Sequence, residues 1–343
     1  MMGQAIIERT GLLIRFQDEN NHSGWGEIAP FPGLHRENLS TTEGQLLQSQ
    51  KTLRGHSLPP DLPQLNGAFE RWLEEYQLFP SVRCGVETAA LNLLANAQGK
   101  PLCALLSPRY RSAVSVNALL SGSPEEIRAQ LPSLVAEGYK AVKLKVGRQK
   151  VHDDAEFVRQ VRRALPGSVS LRLDANRAWQ LREAVDFGKA IRDCSIEYIE
   201  EPLQIPSELN KFHAETGLVL ALDETLAEIS PGDFRPFPGL AALILKPSVI
   251  GGFARTLQLA RLAAIHQLKA VISSVFSSGV GLAAEAALAA CVNEEDIPAG
   301  LDTCRWLAED LLAEAFPLQN GQIEVEEAFR RGQVIRMEML ERI

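Results

Sequence analysis

The chain has 343 residues, 45% hydrophobic and 23% charged, which is ordinary for a globular protein and enough for one large barrel plus a smaller layer. A formal net charge of −8 argues against nucleic acid or an anionic membrane as the main partner. No apolar run reaches the roughly 18 residues of a membrane-spanning helix, and the opening Met-Met-Gly-Gln-Ala-Ile-Ile-Glu-Arg lacks the basic-then-apolar order of a secretion signal.

Residues 1–110 read as a separate α+β layer. Ala5–Phe16 alternates weakly, as an edge strand does. Gly24-Trp-Gly-Glu-Ile-Ala-Pro-Phe-Pro-Gly33 reads as a loop rich in glycine and proline. Ser81–Ala97 reads as an amphipathic helix, stopped by Gly99 and Pro101.

From about 115 onward strands and helices alternate with short breaks. Strands are expected at 115–120, 141–146, 169–174, 196–200, 218–223, 241–246, 270–275 and 297–302, with helical stretches between them. The first intervening helix starts at Ser123-Pro-Glu-Glu126, with Ser123 as cap, Pro124 at the first position and Glu126 closing a capping box; Gly138 stops it. Pro166-Gly167 makes a similar break before the third strand. Eight strands with helical crossovers predict an α/β fold, a parallel (β/α)7β TIM-like barrel over 111–305. A doubly wound open sheet is the alternative, but no G-x-G-x-x-G opens a helix after a strand, and Gly279-Val-Gly281 is too short a signal. Residues 306–343 carry no repeat of their own and are expected to fold back onto the first layer.

The five cysteines, Cys84, Cys103, Cys194, Cys291 and Cys304, are odd in number and form no C-x-x-C pair. They read as reduced packing residues of a cytoplasmic protein, not as a disulfide framework or zinc ribbon. The histidines lack ligand spacing, and His266 reads as structural.

The chemistry lies at the strand ends. Side chains alternate along a strand. In Leu171-Arg-Leu-Asp-Ala-Asn176 the leucines face one way and Arg172, Asp174 and Asn176 the other; Glu200, Asp223 and Lys246 oppose Ile199, Leu222 and Leu245 in the same manner. A barrel packs its leucines outward against helices, so the charged set points inward, at the C-terminal strand ends where barrel active sites are built. Asp174, Glu200 and Asp223 are three oxygen ligands with no histidine or cysteine beside them, a donor set for Mg²⁺, with Mn²⁺ as the alternative. Lys143 and Lys145 share the inward face of the second strand, and Lys246 lies across the barrel. Two adjacent ammonium groups near a cation should lower one lysine pKa toward a value useful for a base. A substrate on the metal would then lose a proton next to its carboxylate, and the metal would neutralise the enediolate charge. Each short motif alone also suits a solvated strand face or a helix start. Five inward charged positions on five strand ends do not, because buried charge is costly unless paired or metal-bound.

Together, Lys143-x-Lys145, Leu173-Asp-Ala-Asn176, Glu200-Glu-Pro202, Leu222-Asp-Glu224 and Leu245-Lys-Pro247 resemble the motif set of the enolase superfamily, in its muconate-lactonizing branch, over nearly the whole chain. A Lys base with Mg²⁺ is a pattern already described for that superfamily. Within the branch, Gly24–Gly33, Arg83-Cys-Gly-Val-Glu-Thr88, Leu171–Trp179 and Ser273-Ser-Val-Phe-Ser-Ser-Gly279 resemble the o-succinylbenzoate synthase family. The resemblance implies that residues 1–110 belong to an α+β capping domain. It implies syn dehydration of 2-succinyl-6-hydroxy-2,4-cyclohexadiene-1-carboxylate on the route to menaquinone or phylloquinone. It also implies that Lys145 is the base, Lys246 stabilises charge, and Lys143 tunes Lys145. Arg172, Asn176, Ser277, Ser278 and Gly279 would hold the substrate, a small molecule, and the loop at Phe31 and Pro32 would close over its tail. Two features depart from relatives. Gly300 stands where dipeptide epimerases of the superfamily carry the first residue of Asp-x-Asp, and the C-terminal tail lacks a Pro-x-x-Pro-Gly-Leu-Gly ending. Racemisation of N-acylamino acids, epimerisation of a dipeptide and a non-catalytic metal-binding role remain the alternatives. Nothing in the sequence specifies an oligomeric state.

Overall fold

β1 (Leu12–Gln17) and β2 (Ser23–Ile28) form an antiparallel hairpin, with Leu12 opposite Ile28 and Gln17 opposite Ser23. The computed structural model describes residues 8–293 and 295–343, so the expected strand residues before residue 8 lie outside the described residues. The loop expected over Gly24–Gly33 is in its first half β2. Its glycines serve close packing: a Cβ on Gly24 would lie 2.1 Å from the Leu93 nitrogen, and one on Gly26 1.9 Å from the Gly85 oxygen. No other residue lets a helix backbone approach a strand so closely.

That helix comes after α1 (Leu39–Leu53) and α2 (Ala68–Leu73). It is α3 (Pro80–Ala97), opened by Pro80 at its first position. The expected amphipathic face is absent: every residue from Ser81 to Leu93 is buried. The helix is covered on one side by the hairpin and on the other by the barrel, so it needs no polar stripe. α4 (Leu102–Leu106) follows.

The first expected barrel strand divides in two. β3 (Ala113–Ser115) leaves the barrel, whereas β4 (Asn117–Leu120) is its first strand. α5 (Pro124–Ala136) starts on the expected capping box, with Ser123 and Glu126 each bonded to the other's backbone. Then come β5 (Ala141–Lys145), α6 (Val151–Ala164), β6 (Ser170–Asp174), α7 (Leu181–Ala190), β7 (Tyr198–Glu200), α8 (Leu209–Thr216) and β8 (Leu220–Leu222). β9 (Leu240–Leu245) follows with no α-helix before it. The crossover contains only 3₁₀ turns at Glu224–Ala227 and Pro231–Asp233, a departure from the expected helix. α9 (Pro247–Ile250), α10 (Phe253–Ile265), β10 (Lys269–Ile272) and α11 (Gly279–Val292) complete the alternation.

β4 to β10 lie in sequence order in one parallel sheet. The expected eighth strand is reduced to a two-residue bridge. Ala299 bridges Val116 and Gly300 bridges Ser273, with Asn117 N donating to Ala299 O at 2.9 Å and Ser274 N to Gly300 O at 2.9 Å. This segment joins the two edges of the seven-stranded sheet and closes the ring. Leu171 and Leu173 are fully buried against the outer helices, as the alternation requires.

The C-terminal stretch forms β11 (Leu318–Gln319), β12 (Gln322–Glu324) and α12 (Val325–Gly332). β12 pairs antiparallel with β3, Ile323 opposite Val114, and α12 packs on α4 and α11. Asn96, at the end of α3, donates to Gln333 at 3.1 Å. All five cysteines are free, and among the described residues no helix is long and apolar enough to cross a membrane.

Candidate active site

Lys145, Asp174 and Glu200 stand opposite one another in the registers of β5, β6 and β7. Asp223 follows β8 directly and Lys246 follows β9. The strand order puts Lys145 and Lys246 four strands apart in an eight-segment ring, on opposite sides of the mouth. All three carboxylates are buried, at 1%, 1% and 6% exposure, and one oxygen from each lies within 4.8 Å of the others.

The lysines fill the remaining coordination of these oxygens. Lys143 Nζ lies 2.8 Å from Glu200 Oε2 and 3.0 Å from Asp174 Oδ2. Lys145 Nζ lies 2.6 Å from Asp174 Oδ2 and 2.5 Å from Asn176 Oδ1. Lys246 pairs with Asp223. Three ammonium groups thus balance three carboxylates, which is how the interior tolerates them.

Burial raises the Asp174 pKa, but the charges of Lys143, Lys145 and Lys246 outweigh it and hold the group well below the usual carboxylate range. Glu200 goes the other way, to about 7: burial dominates, Lys143 pulls it down, and Asp174 and Asp223 push it up. Burial alone would lower Lys143 and Lys246. Asp174, Glu200 and Asp223 instead raise Lys143 well above its ordinary value, and Asp223 raises Lys246 despite the opposing charge of Lys143. Each of these two faces carboxylate more closely than ammonium. A divalent cation on the same three carboxylates would offset two of their three charges and act against that raising. The donor set suits one: all oxygen, three charges, no histidine or cysteine.

Asn176 is at the site. It holds Lys145 through Oδ1 and donates to Glu224 at 2.9 Å. Arg172 is not at the mouth, a correction to its expected substrate contact. It is completely buried in the barrel, with Nε on Glu197 at 2.8 Å and Nη1 on Asn117 and on Pro298 O at 3.0 and 2.7 Å. Its partners Glu197 and Pro298 precede their strand ends, so the guanidinium points down the barrel. The 277–279 turn follows β10, beside the strand that delivers Lys246. Ser277 Oγ lies 3.4 Å from Glu285, Ser278 bonds to Glu27, and Gly279 N donates to Asp310 at 2.9 Å. Phe31 stacks on Phe276 with centroids 5.7 Å apart, and Pro32 bridges His35. The capping loop thus touches the barrel loop that bears the serines.

Glu201 was missed from the sequence, although it stands in the Glu200-Glu-Pro202 motif. Fully buried, it accepts from Asp223 N at 3.0 Å, Thr225 N at 2.9 Å, Thr225 Oγ1 at 3.0 Å and Arg177 Nε at 3.2 Å. It fixes the backbone that carries Asp223. Asn176, Arg177 and Glu201 all have left-handed backbone angles, φ 44°, 57° and 37°. Three of the nine described non-glycine residues with positive φ thus lie beside this site.

Residues 126–336 match the family described as enolase C-terminal domain-like, and residues 1–93 match the MenC N-terminal domain. The o-succinylbenzoate synthase of Klebsiella pneumoniae (strain 342) is 35% identical over 316 residues, spanning 90% of this chain and 87% of that protein. The chain belongs to the o-succinylbenzoate synthase family of the enolase superfamily. It is also similar to the chloroplastic protein PHYLLO of Arabidopsis thaliana, 37% identical over 341 residues, but those cover 89% of this chain and only 20% of that much longer protein. The muconate cycloisomerase structure from Pseudomonas fluorescens shares the fold, with TM-score 0.80, 24% identity, and 93% and 90% of the two chains covered.

Proposed function

We propose that the chain is a hydro-lyase that converts 2-succinyl-6-hydroxy-2,4-cyclohexadiene-1-carboxylate to 2-succinylbenzoate, in menaquinone or phylloquinone biosynthesis. The observation that carries this reading is a pair of lysines on opposite sides of a buried three-carboxylate set. Asp174, Glu200 and Asp223 would hold Mg²⁺, or Mn²⁺ in its place. When bound, the cation supplies positive charge against the charge that develops on the substrate carboxylate. Lys145, oriented by Asn176, takes the proton from the carbon next to that carboxylate. It returns the proton to the departing hydroxyl on the same face, so a C–H and a C–O bond break, water leaves and the ring becomes aromatic. Lys246 stays charged on the other face and stabilises the intermediate electrostatically, including through the ring. Lys143 links Asp174 to Glu200 and sets the charge around Lys145. Phe31, Pro32 and the 277–279 turn would close over the succinyl end. Residues 1–110 and 306–343 act as the capping unit and 111–305 as the catalytic barrel, although β3, at the start of the latter range, pairs with β12 of the C-terminal segment. A cytoplasmic setting suits the five free cysteines.

Gly300 disfavours dipeptide epimerisation. A Cβ there would lie 2.5 Å from Ser273 Oγ and 3.0 Å from its Cβ, so an ammonium-binding aspartate would crowd Ser273. The deciding experiment assays purified protein in parallel on the cyclohexadiene carboxylate and on both enantiomers of an N-succinylamino acid. Efficient dehydration is expected. Efficient racemisation with the cyclohexadiene carboxylate untouched would refute the reading. In a dehydratase Lys246→Arg retains measurable turnover, because the charge remains, while α-proton exchange from the Lys246 face is lost.

A further inference from the structure

Helix α11 begins without the usual closure of its first turn. Its N-cap is Ser278, whose Oγ accepts from Val280 N at 3.3 Å. In a capping box the side chain three residues on reaches back to the N-cap amide. Here that position is Gly281, which has no side chain. The missing carboxylate comes from the capping layer, 251 residues earlier in the chain. Glu27, on β2, accepts from Ser278 N at 3.0 Å, from Ser278 Oγ at 2.6 Å and from Gly281 N at 3.1 Å. It satisfies two orphan amides of the first turn and places negative charge at the positive end of the helix. A Cβ on Gly281 would lie 2.8 Å from Glu27 Oε2, so the glycine is what admits the carboxylate.

A second charged side chain from the same layer holds the residues just before this turn. Arg9 donates to Val275 O and Phe276 O, each at 3.4 Å, and to Ala29 O and to Pro30 O, the latter at 3.1 Å. Its guanidinium lies 5.2 Å from the Phe31 ring centroid, and Phe31 stacks on Phe276.

We propose that Glu27 is a positioning residue that completes the capping box of α11 from the capping layer, so that docking of the cap, seating of the Phe31 loop and ordering of the 277–279 turn are one event, with Arg9 as its partner on the preceding residues. The role rests on the proposed function only in naming what the turn holds. The order of the turn itself is measurable without turnover.

The test uses the full chain with Glu27→Ala, Glu27→Gln and Arg9→Met. Hydrogen exchange of the Ser278 and Gly281 amides should speed up by about tenfold in Glu27→Ala, the size of one lost cap. It should lie between wild type and Glu27→Ala in Glu27→Gln, whose amide oxygen still accepts but carries no charge. KM for the cyclohexadiene carboxylate should rise by a similar factor, more than kcat falls, while Mn²⁺ affinity stays at the wild-type value. Arg9→Met should loosen 29–31 and 275–276 together. Unchanged exchange at Ser278 and Gly281 in Glu27→Ala overturns the proposal, and so does a fall in Mn²⁺ affinity that matches the loosening, since the effect would then be general. Should Glu27→Ala fail to fold, Glu27→Gln must still show an intermediate exchange rate at these two amides; a wild-type rate there together with no effect of Arg9→Met is refuting. If the wild type leaves the cyclohexadiene carboxylate untouched, the functional reading fails, and the exchange pattern alone decides the clamp.

Discussion

Lys145 and Lys246 differ in what their removal leaves behind, and the difference is measurable without substrate. Lys246 and Asp223 have side chains 10% and 4% exposed, and among the described residues no other cation lies within ion-pair distance of Asp223. Lys246→Met therefore strands a buried carboxylate, at a cost of about 3–5 kcal/mol, which lowers the folded-to-unfolded ratio by roughly two to three and a half powers of ten. Lys145 is 22% exposed, and its partner Asp174 keeps Lys143 at 3.0 Å when it is gone. Lys145→Met should cost no more than about 1 kcal/mol. Urea unfolding in excess chelator should show this gap directly. Saturating Mg²⁺ should recover more stability in Lys246→Met than in Lys145→Met, because a cation on Asp223 replaces the lost charge, and binding to the native state alone stabilises it. Equal losses for the two variants, or no difference in recovery by Mg²⁺, would show that the charge balance inferred from the ion pairs is wrong.

Chelation should abolish turnover of the cyclohexadiene carboxylate and Mg²⁺ should restore it, given a donor set of three buried carboxylates; full activity in excess chelator would sink the metal assignment. Lys145→Ala and Lys145→Arg should both lose turnover by several powers of ten with the fold intact, since guanidinium remains protonated; near-normal turnover of either removes Lys145 as base. Glu87, fully buried, has its pKa raised to about 7 by burial against the pull of Arg83. The native state then binds the proton more tightly than the unfolded chain, so this group's contribution is present at low pH and is lost as pH rises from the ordinary glutamate range through about 7. Unfolding free energies from pH 5 to 8 should therefore fall less steeply for Glu87→Gln than for wild type, and parallel slopes would count against it.

The charges of the candidate site were legible because each sits at the end of an apolar run, where strand alternation puts Asp174, Glu200, Asp223 and Lys246 on the face opposite the leucines. The barrel, its strand order and the capping box of α5 followed from periodicity and local hydrogen bonding, which depend on neighbours in sequence. What failed depended on distant neighbours. The glycines of β2 looked like loop residues until α3 lay against them, and the even burial of α3 could be decided only by the layers on either side. Arg172 has the same alternation phase as Asp174 but lies two residues deeper, so the depth of the barrel turns it from the mouth to Glu197. The raised pKa values of Lys143 and Lys246 follow from distances across the barrel mouth, not from spacing along one strand, because these set which charge each ammonium feels. Sequence alone determined which residues carry charge and which face of a strand presents them. Tertiary structure decided which charges meet, because an ion pair or a helix cap depends on a separation of a few ångströms between residues that the chain brings together from as far as Glu27 and Gly281.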